Sequence, residues 1–277
     1  MTKKLAQSPI GIFDSGVGGL SVLKAMRVQM PEEELLYLGD QIHVPYGPRP
    51  LAELRAFSSE ITRFLLAGGA KLIVVACNSA SAAALPSLRN TFPQVSFVGM
   101  EPAVKPAAEQ TLSGVVGVLA TPATFDGPLF ASVVERFAQD VTVLKSTCPG
   151  LVEQIEAGRL DGPETEHILR EALQPMLAQG VDTVVLGCTH YPFVIPLIER
   201  IAGTKLRVID PAPAIARQAR RLLEDAGLRR PAGQKAAAVY YTTAAAEMMG
   251  ELLPALTGEP APVKELHWQN GELHSLL

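Results

Sequence analysis

Two cysteines carry the first chemical signal. Cys77 and Cys188 each close a short apolar run, VVAC and VVLGC, and each precedes a pair of hydrogen-bonding residues, Asn78-Ser79 and Thr189-His190. A thiol just ahead of a helix start lies near oriented backbone N–H groups and the positive end of the helix dipole, which favour its thiolate. His190, two residues after Cys188, adds a group whose imidazolium stabilises a thiolate. A thiolate on one side of a carbon and a thiol on the other form a base–acid pair. One takes a proton from one face and the other returns a proton to the opposite face, which inverts a stereocentre without a cofactor. A buried cysteine is ordinarily a small hydrophobe, and it is the equivalence of these two positions that singles the pair out. Cys148, in STCPG, has no such counterpart and reads as structural.

Other strand ends carry polar groups. Asp14-Ser15-Gly16-Val17-Gly18-Gly19 follows the first apolar run, and its glycines let backbone N–H groups approach an anion at a helix start. The spacing is not that of a dinucleotide-binding loop, and no G-K-[ST] follows to make it a P-loop. Pro45-Tyr46-Gly47 offers backbone donors to a carboxylate, and Asn78, Ser79, Thr189 and His190 offer more beside the thiols. A small amino acid with an extra carboxylate needs donors in number, because a buried charge without partners costs several kcal/mol. In LVEQIE, Glu153 is the inward-facing candidate; Glu156 shares the neighbouring turn, and position alone does not separate them. No C-x-x-C occurs, so neither a zinc ribbon nor another metal site is expected.

These residues need a frame that brings them together. Strands are predicted at 9–14, 35–39, 72–77, 95–100, 114–120, 141–144, 182–188 and 206–210, with later ones at 239–242 and 263–268. Several are apolar at consecutive positions, as parallel strands covered on both faces require. Periodic segments at 51–66, 164–177 and 214–223 suit crossover helices, and a further helix is expected at 245–256. The alternation means α/β with parallel sheets.

The chain also repeats itself. GIFDS (11–15) matches GVLAT (117–121), and LLYLGD (35–40) matches VTVLKS (141–146). LAGGAKLIVVACNS (66–79) matches LAQGVDTVVLGCTH (177–190), and MEPA (100–103) matches IDPA (209–212). Shared strand–turn grammar explains the apolar runs but not a cysteine at the same strand end twice. Duplication predicts two similar lobes related by an approximate two-fold, with the ligand site beyond the carboxyl ends of the strands. Both thiols then approach one cleft from opposite sides.

Composition narrows the class. The 277 residues are 48% hydrophobic and 19% charged, with a net charge of −4; mean hydropathy is +0.21 and the pI about 5.8. This excludes general disorder and disfavours a nucleic-acid partner. No run approaches the ~18 apolar residues of a membrane span. No apolar segment of a secretory signal follows Lys3 and Lys4, and three cysteines argue against a disulfide framework, so a cytoplasmic location is expected.

FDSGVGG (13–19), GD-x4-PYG (39–47), ACNSAS (76–81), LVE (151–153) and GCTHYP (187–192), in this order and at this spacing, resemble the signatures of the glutamate racemase family. The resemblance covers about residues 9 to 212. It implies a cofactor-independent enzyme that interconverts L- and D-glutamate and supplies D-glutamate for peptidoglycan. It also implies two α/β domains, one formed by 1–98 plus 210–277 and the other by 99–209, in a homodimer. By resemblance, Cys77 deprotonates the D-enantiomer and Cys188 the L-enantiomer, assisted by Asp14 and His190 respectively. Glu153 corresponds to a further acid in the pocket, and Asp40 to a weaker contributor. Asp14, Ser15, Pro45, Tyr46, Gly47, Asn78, Ser79, Thr189 and His190 correspond to substrate contacts, with hydroxyls from Thr121 and Thr124. Ser79 stands where the family commonly has threonine, and FDGPLF (125–130) departs from its usual serine and tyrosine. The residues by themselves leave open an aspartate racemase, a two-lobed binder of acidic amino acids, and a Cys–His hydrolase.

Overall fold

The continuous apolar runs become buried strands. β1 (Ile10–Asp14), β2 (Leu35–Gly39), β3 (Leu72–Val75) and β7 (Thr183–Gly187) are buried at every position, as the covered faces of a parallel sheet demand. The other strands are β4 (Phe97–Gly99), β5 (Val115–Ala120), β6 (Thr142–Ser146), β8 (Arg207–Ile209), β9 (Ala238–Thr242), β10 (Val263–Gln269) and β11 (Glu272–Ser275). The computed structural model describes residues 5–203 and 205–275, so Lys3 and Lys4 lie outside the described residues.

The strands form two sheets. One has the order β11-β10-β9-β2-β1-β3-β4 and the other β6-β5-β7-β8. The order β2-β1-β3-β4 recurs as β6-β5-β7-β8, which is the topology a duplicated half leaves behind. The register repeats as well. Gly11 pairs with Ile73, and Gly117 with Val184; the sequence match 66–79 on 177–190 sets Ile73 against Val184. At the neighbouring strands the structural equivalence differs from the sequence match by two residues. Gly11 pairs with Leu36 and Gly117 with Leu144, whereas the match sets Leu36 against Thr142. Val74 pairs with Val98 and Val185 with Ile209, whereas the match sets Val98 against Arg207. An even slip keeps every side chain on its own face, so the core tolerates it.

One strand departs from the all-parallel expectation. β11 runs antiparallel to β10, with Gln269 opposite Glu272. Asn270 and Gly271 join them, both with positive φ (52° and 83°). An Asn-Gly pair of this kind makes the two-residue hairpin turn whose twist matches the flanking strands.

Three helices and a turn matter for the site. α1 (Leu20–Gln29) follows the glycine-rich loop, α2 (Asn78–Thr91) follows Cys77, and α3 (Leu151–Glu156) follows Cys148. A 3-10 turn, Gln41–His43, follows β2. One hydrophobic core joins Val17 and Leu20 of the first lobe to Leu151, Ile155, Leu186 and Tyr191 of the second. The lobes therefore close on each other around the carboxyl ends of both sets of strands. No helix among the described residues is long and apolar enough to cross a membrane.

Candidate active site

Cys77 and Cys188 line the same small cavity, about 20 Å³ in volume, with Ser15, Asn78, Ser79 and His190 among its other walls. Each thiol comes from a different sheet, and each residue is only 5% exposed. A second cavity of about 250 Å³ shares Pro45, Gly47, Thr121 and Val152 with the first. The inner space admits about one water molecule.

The two sulfurs sit in different electrostatic settings. Cys77 is the N-cap of α2, and its sulfur accepts a hydrogen bond from the Ala80 backbone N–H at 3.5 Å. It also lies 4.0 Å from the Ser15 hydroxyl oxygen. Burial, and then the neighbouring Asp14 carboxylate, push the Cys77 thiol up, so it keeps its proton in the closed site. Cys188 has no equivalent cap, which corrects the expectation that both thiols stand just before a helix. After His190 the chain makes a 3-10 turn at Tyr191–Val194, and the α-helix starts only at Ile195. Pro196 lacks the N–H that a helix begun at residue 189 needs there, whereas in the first turn of a helix begun at Ile195 the loss is harmless.

Cys188 has an imidazole instead. His190 Nδ1 lies 3.8 Å from the Cys188 sulfur, and Nε2 lies 2.6 Å from Glu156 Oε1. Burial disfavours charge on His190, but its bonds to Cys188 and Glu156 outweigh this and hold it well above the usual histidine range. Burial also opposes charge on Glu156, yet His190, the Val17 N–H and the Gln41 amide hold its carboxyl below the ordinary value. The pair is thus imidazolium and carboxylate, with the imidazolium presented to the sulfur.

Glu156 also explains the glycines. Its Oε1 accepts from the Val17 N–H at 2.7 Å. A Cβ on Gly16 would lie 1.8 Å from that same oxygen, and one on Gly18 would lie 2.3 Å from His190 Nδ1. The loop does bring a backbone N–H to an anion, and that anion belongs to the protein. Glu153, one helical turn earlier, is exposed and lines the outer cavity. The structure does not bring it to His190 or to either thiol.

Asp14 is fully buried. Its Oδ1 accepts from the Gly16 N–H at 2.9 Å, and its Oδ2 accepts from the Thr189 hydroxyl at 2.9 Å, across the two lobes. Burial raises its carboxyl above the ordinary value, partly offset by His190. Ser79, Thr121 and Thr124 form a hydroxyl chain with steps of 2.9 and 3.0 Å. Ser79 and Thr121 line the inner cavity and Thr124 backs them from outside it. Both side-chain polar atoms of Asn78 are buried without a partner among the described residues. A buried amide with four unused hydrogen-bonding positions in a cavity wall suits a polar ligand.

Pro45, Tyr46 and Gly47 also wall the inner cavity. The Tyr46 hydroxyl donates to Asp40 Oδ2 at 2.6 Å. Asp40 takes further bonds from the Thr243 hydroxyl at 2.9 Å and Trp268 Nε1 at 2.8 Å, with His43 Nδ1 at 2.9 Å from its Oδ2. Asp40 therefore anchors the loop that carries Pro45–Gly47 and is not itself a wall of the cavity. Cys148 and Tyr191 face the outer cavity, and burial pushes the Cys148 thiol up to about 12.

Sequence reasoning did not find Gln41 or single out Glu156. The available signal for Glu156 was weak, because the lobe contact that selects it is formed by residues 139 and 115 positions away.

The family model described as Asp/Glu/Hydantoin racemase matches residues 19–219. A glutamate racemase of Roseiflexus sp. (strain RS-1) is 52% identical over 235 residues, 85% of this chain and 86% of that protein. One of Pseudomonas aeruginosa (strain UCBPP-PA14) is 50% identical over 257 residues, 93% of this chain and 97% of that protein. The crystal structure of the glutamate racemase isoform RacE1 from Bacillus anthracis superposes with a TM-score of 0.84 at 28% identity. It covers 96% of this chain and 98% of its own. The duplicated lobes, the paired strand-end thiols and these likenesses agree: the chain belongs to the Asp/Glu/hydantoin racemase family.

Proposed function

We infer that the chain is a glutamate racemase that works without a cofactor, by two cysteine bases. The observation that carries this is the single cavity walled by Cys77 from one sheet and Cys188 from the other. Its relatives at about 50% identity over nearly their whole length are glutamate racemases.

The residues divide the work. In the resting site the imidazolium of His190 faces the Cys188 sulfur, and buried Cys77 holds its proton. That is the loading for L-glutamate. The Cys188 sulfur takes the α-hydrogen, and the C–H electrons stay on Cα. The Cys77 S–H then delivers its proton to the other face. D-Glutamate leaves, with Cys188 protonated and Cys77 ionised, and exchange of the thiol protons with water restores the start. Asn78, Ser79 and the backbone at Thr189 supply donors to the substrate carboxylates, and Thr121 and the Pro45–Gly47 backbone complete the wall. The hard step is ionising an α-C–H with a thiolate. Positioning within a closed site contributes roughly 7–11 kcal/mol in good cases, and preorganised donors in a site without bulk water contribute more.

The same reading gives lobes of 1–98 with 210–277 and 99–209, supported by the membership of the two sheets. It gives a cytoplasmic homodimer that supplies D-glutamate for peptidoglycan, which sedimentation at twice the 29.5 kDa chain mass would support. Circular dichroism of the substrate tests the activity. L-Glutamate is expected to lose its signal to the equimolar mixture, with L-aspartate at least ~100-fold slower, a margin in the range a purpose-built polar pocket attains. A preference for aspartate, or an unchanged signal with both, would overturn the assignment.

A further inference from the structure

The matched family region ends at residue 219, yet the chain beyond it reaches the Cys188 side of the site. β9 pairs with β2 in parallel, which brings Thr242 opposite Gly39 and next to the turn at Gln41–His43. The Thr242 hydroxyl donates to Gln41 Oε1 at 2.7 Å and accepts from the Ala244 N–H at 3.1 Å. Gln41 Nε2 donates to Glu156 Oε2 at 2.9 Å. Glu156 Oε1 meets the Val17 N–H and His190, and His190 faces the Cys188 sulfur. Thr243 pins the same turn on either side of Gln41, donating to Asp40 Oδ1 at 2.9 Å and accepting from the Ile42 N–H at 3.1 Å.

The direction of each bond in this chain is determined. The Glu156 carboxylate only accepts, so Gln41 turns its NH2 to it, and the Thr242 hydroxyl, whose oxygen also accepts from the Ala244 N–H, donates to the other end of the amide. That makes the Gln41 atom facing Thr242 the carbonyl oxygen, and the atom facing Glu156 the NH2. A flipped amide would put its oxygen against a buried carboxylate. The titratable groups around Glu156 are His190, Asp14, and Tyr37, whose hydroxyl donates to the Gly16 carbonyl at 2.7 Å. Among the described residues, Gln41 is the one side-chain amide that donates to it.

We propose that Gln41 and Thr242 are positioning residues for the Cys188 half of the reaction: Thr242 anchors the Gln41 amide at its carbonyl oxygen, and Gln41 holds the Glu156 carboxylate against His190. This rests on the racemase assignment above. The C-terminal segment thereby does more than widen the sheet, because it fixes the acid that fixes the imidazole.

Steady-state kinetics over pH test this with the full-length chain. The wild type is measured first; if it does not racemise glutamate, the functional assignment fails and not this one. In an active enzyme, Gln41→Leu is expected to lower kcat about 10-fold with KM within twofold. It also moves the acid limb of the kcat profile up by roughly one to two pH units, the worth of one hydrogen bond to a carboxylate. Thr242→Val, of the same shape without the hydroxyl, gives a shift in the same direction, and Thr242→Ser restores the wild-type limb. If Gln41→Leu does not fold, the Thr242 pair decides alone. Wild-type kcat and limb in Thr242→Val would overturn the proposal. So would a fall in kcat with no movement of the limb, the mark of a purely structural role.

Discussion

Replacing Cys77 with alanine is expected to abolish racemisation, and replacing Cys188 is expected to do the same. Each loss should reach at least the ~10²–10⁴ attributed to one general acid or base. In the two-base reading each thiol stands on one face of the substrate, so neither can substitute for the other. The polar groups nearest Cys77 are the Ser15 hydroxyl, a far weaker acid, and Asp14, whose oxygens are committed to Gly16 and Thr189. Folding should survive. Each change removes one sulfur from a buried wall, a deletion far smaller than the Leu→Ala changes that cost 2–5 kcal/mol. Cys77→Ala also removes the acceptor for the Ala80 N–H, so it should be the less stable of the two by about 1 kcal/mol. Chiral analysis of the glutamate pool reads the first effect and urea unfolding the second. Turnover near wild type in either variant would end the two-base reading.

The second large effect concerns the acid behind the imidazole. Glu156→Gln keeps the shape and removes the charge. The Val17 N–H needs an acceptor, which turns the new amide's NH2 toward the Gln41 NH2, donor against donor. A buried mismatch of this kind costs ~1–3 kcal/mol. The larger consequence is at His190, where burial opposes charge and Glu156 is a main support for it. Without the carboxylate, the folded-state value for His190 falls. The protonated ring is then lost at lower pH, and the basic limb of the kcat profile moves down. We expect a fall of about 100-fold at neutral pH, within the range for a group that sustains acid–base chemistry. Glu153→Gln, exposed in the outer cavity, should stay within about threefold, as surface changes do. The opposite ranking in a pH-rate series would place the essential acid at Glu153.

The sequence made the thiols legible because a duplicated half repeats its strand end, and chance does not put cysteine there twice. The strand positions were legible because parallel strands covered on both faces are apolar without a break, as 35–39 and 72–75 are. What stayed hidden depends on contacts between lobes. Glu153 and Glu156 are three apart on one helix and share a side of it, so only the packing of α3 against the glycine loop separates them. The glycines were legible as room for an anion, but a lone chain does not say that the anion is its own side chain. Asp40 shows the same limit: four partners drawn from residues 43, 46, 243 and 268 make it an anchor for a loop. The hairpin at Asn270-Gly271 is a different case. Its turn signal was present in QNGEL, and the short strand after it is exposed at all but one position and too polar to register as an apolar run.

The most direct test of opposed thiols follows the α-hydrogen in D2O, starting from pure L-glutamate and stopping early. Two bases on opposite faces predict that every D-glutamate molecule formed carries deuterium at Cα while the remaining L-glutamate keeps protium. Deuterium entering the L pool as fast as the D pool, or D-glutamate that retains the original protium, would show a single base moving one hydrogen between faces and would contradict the account.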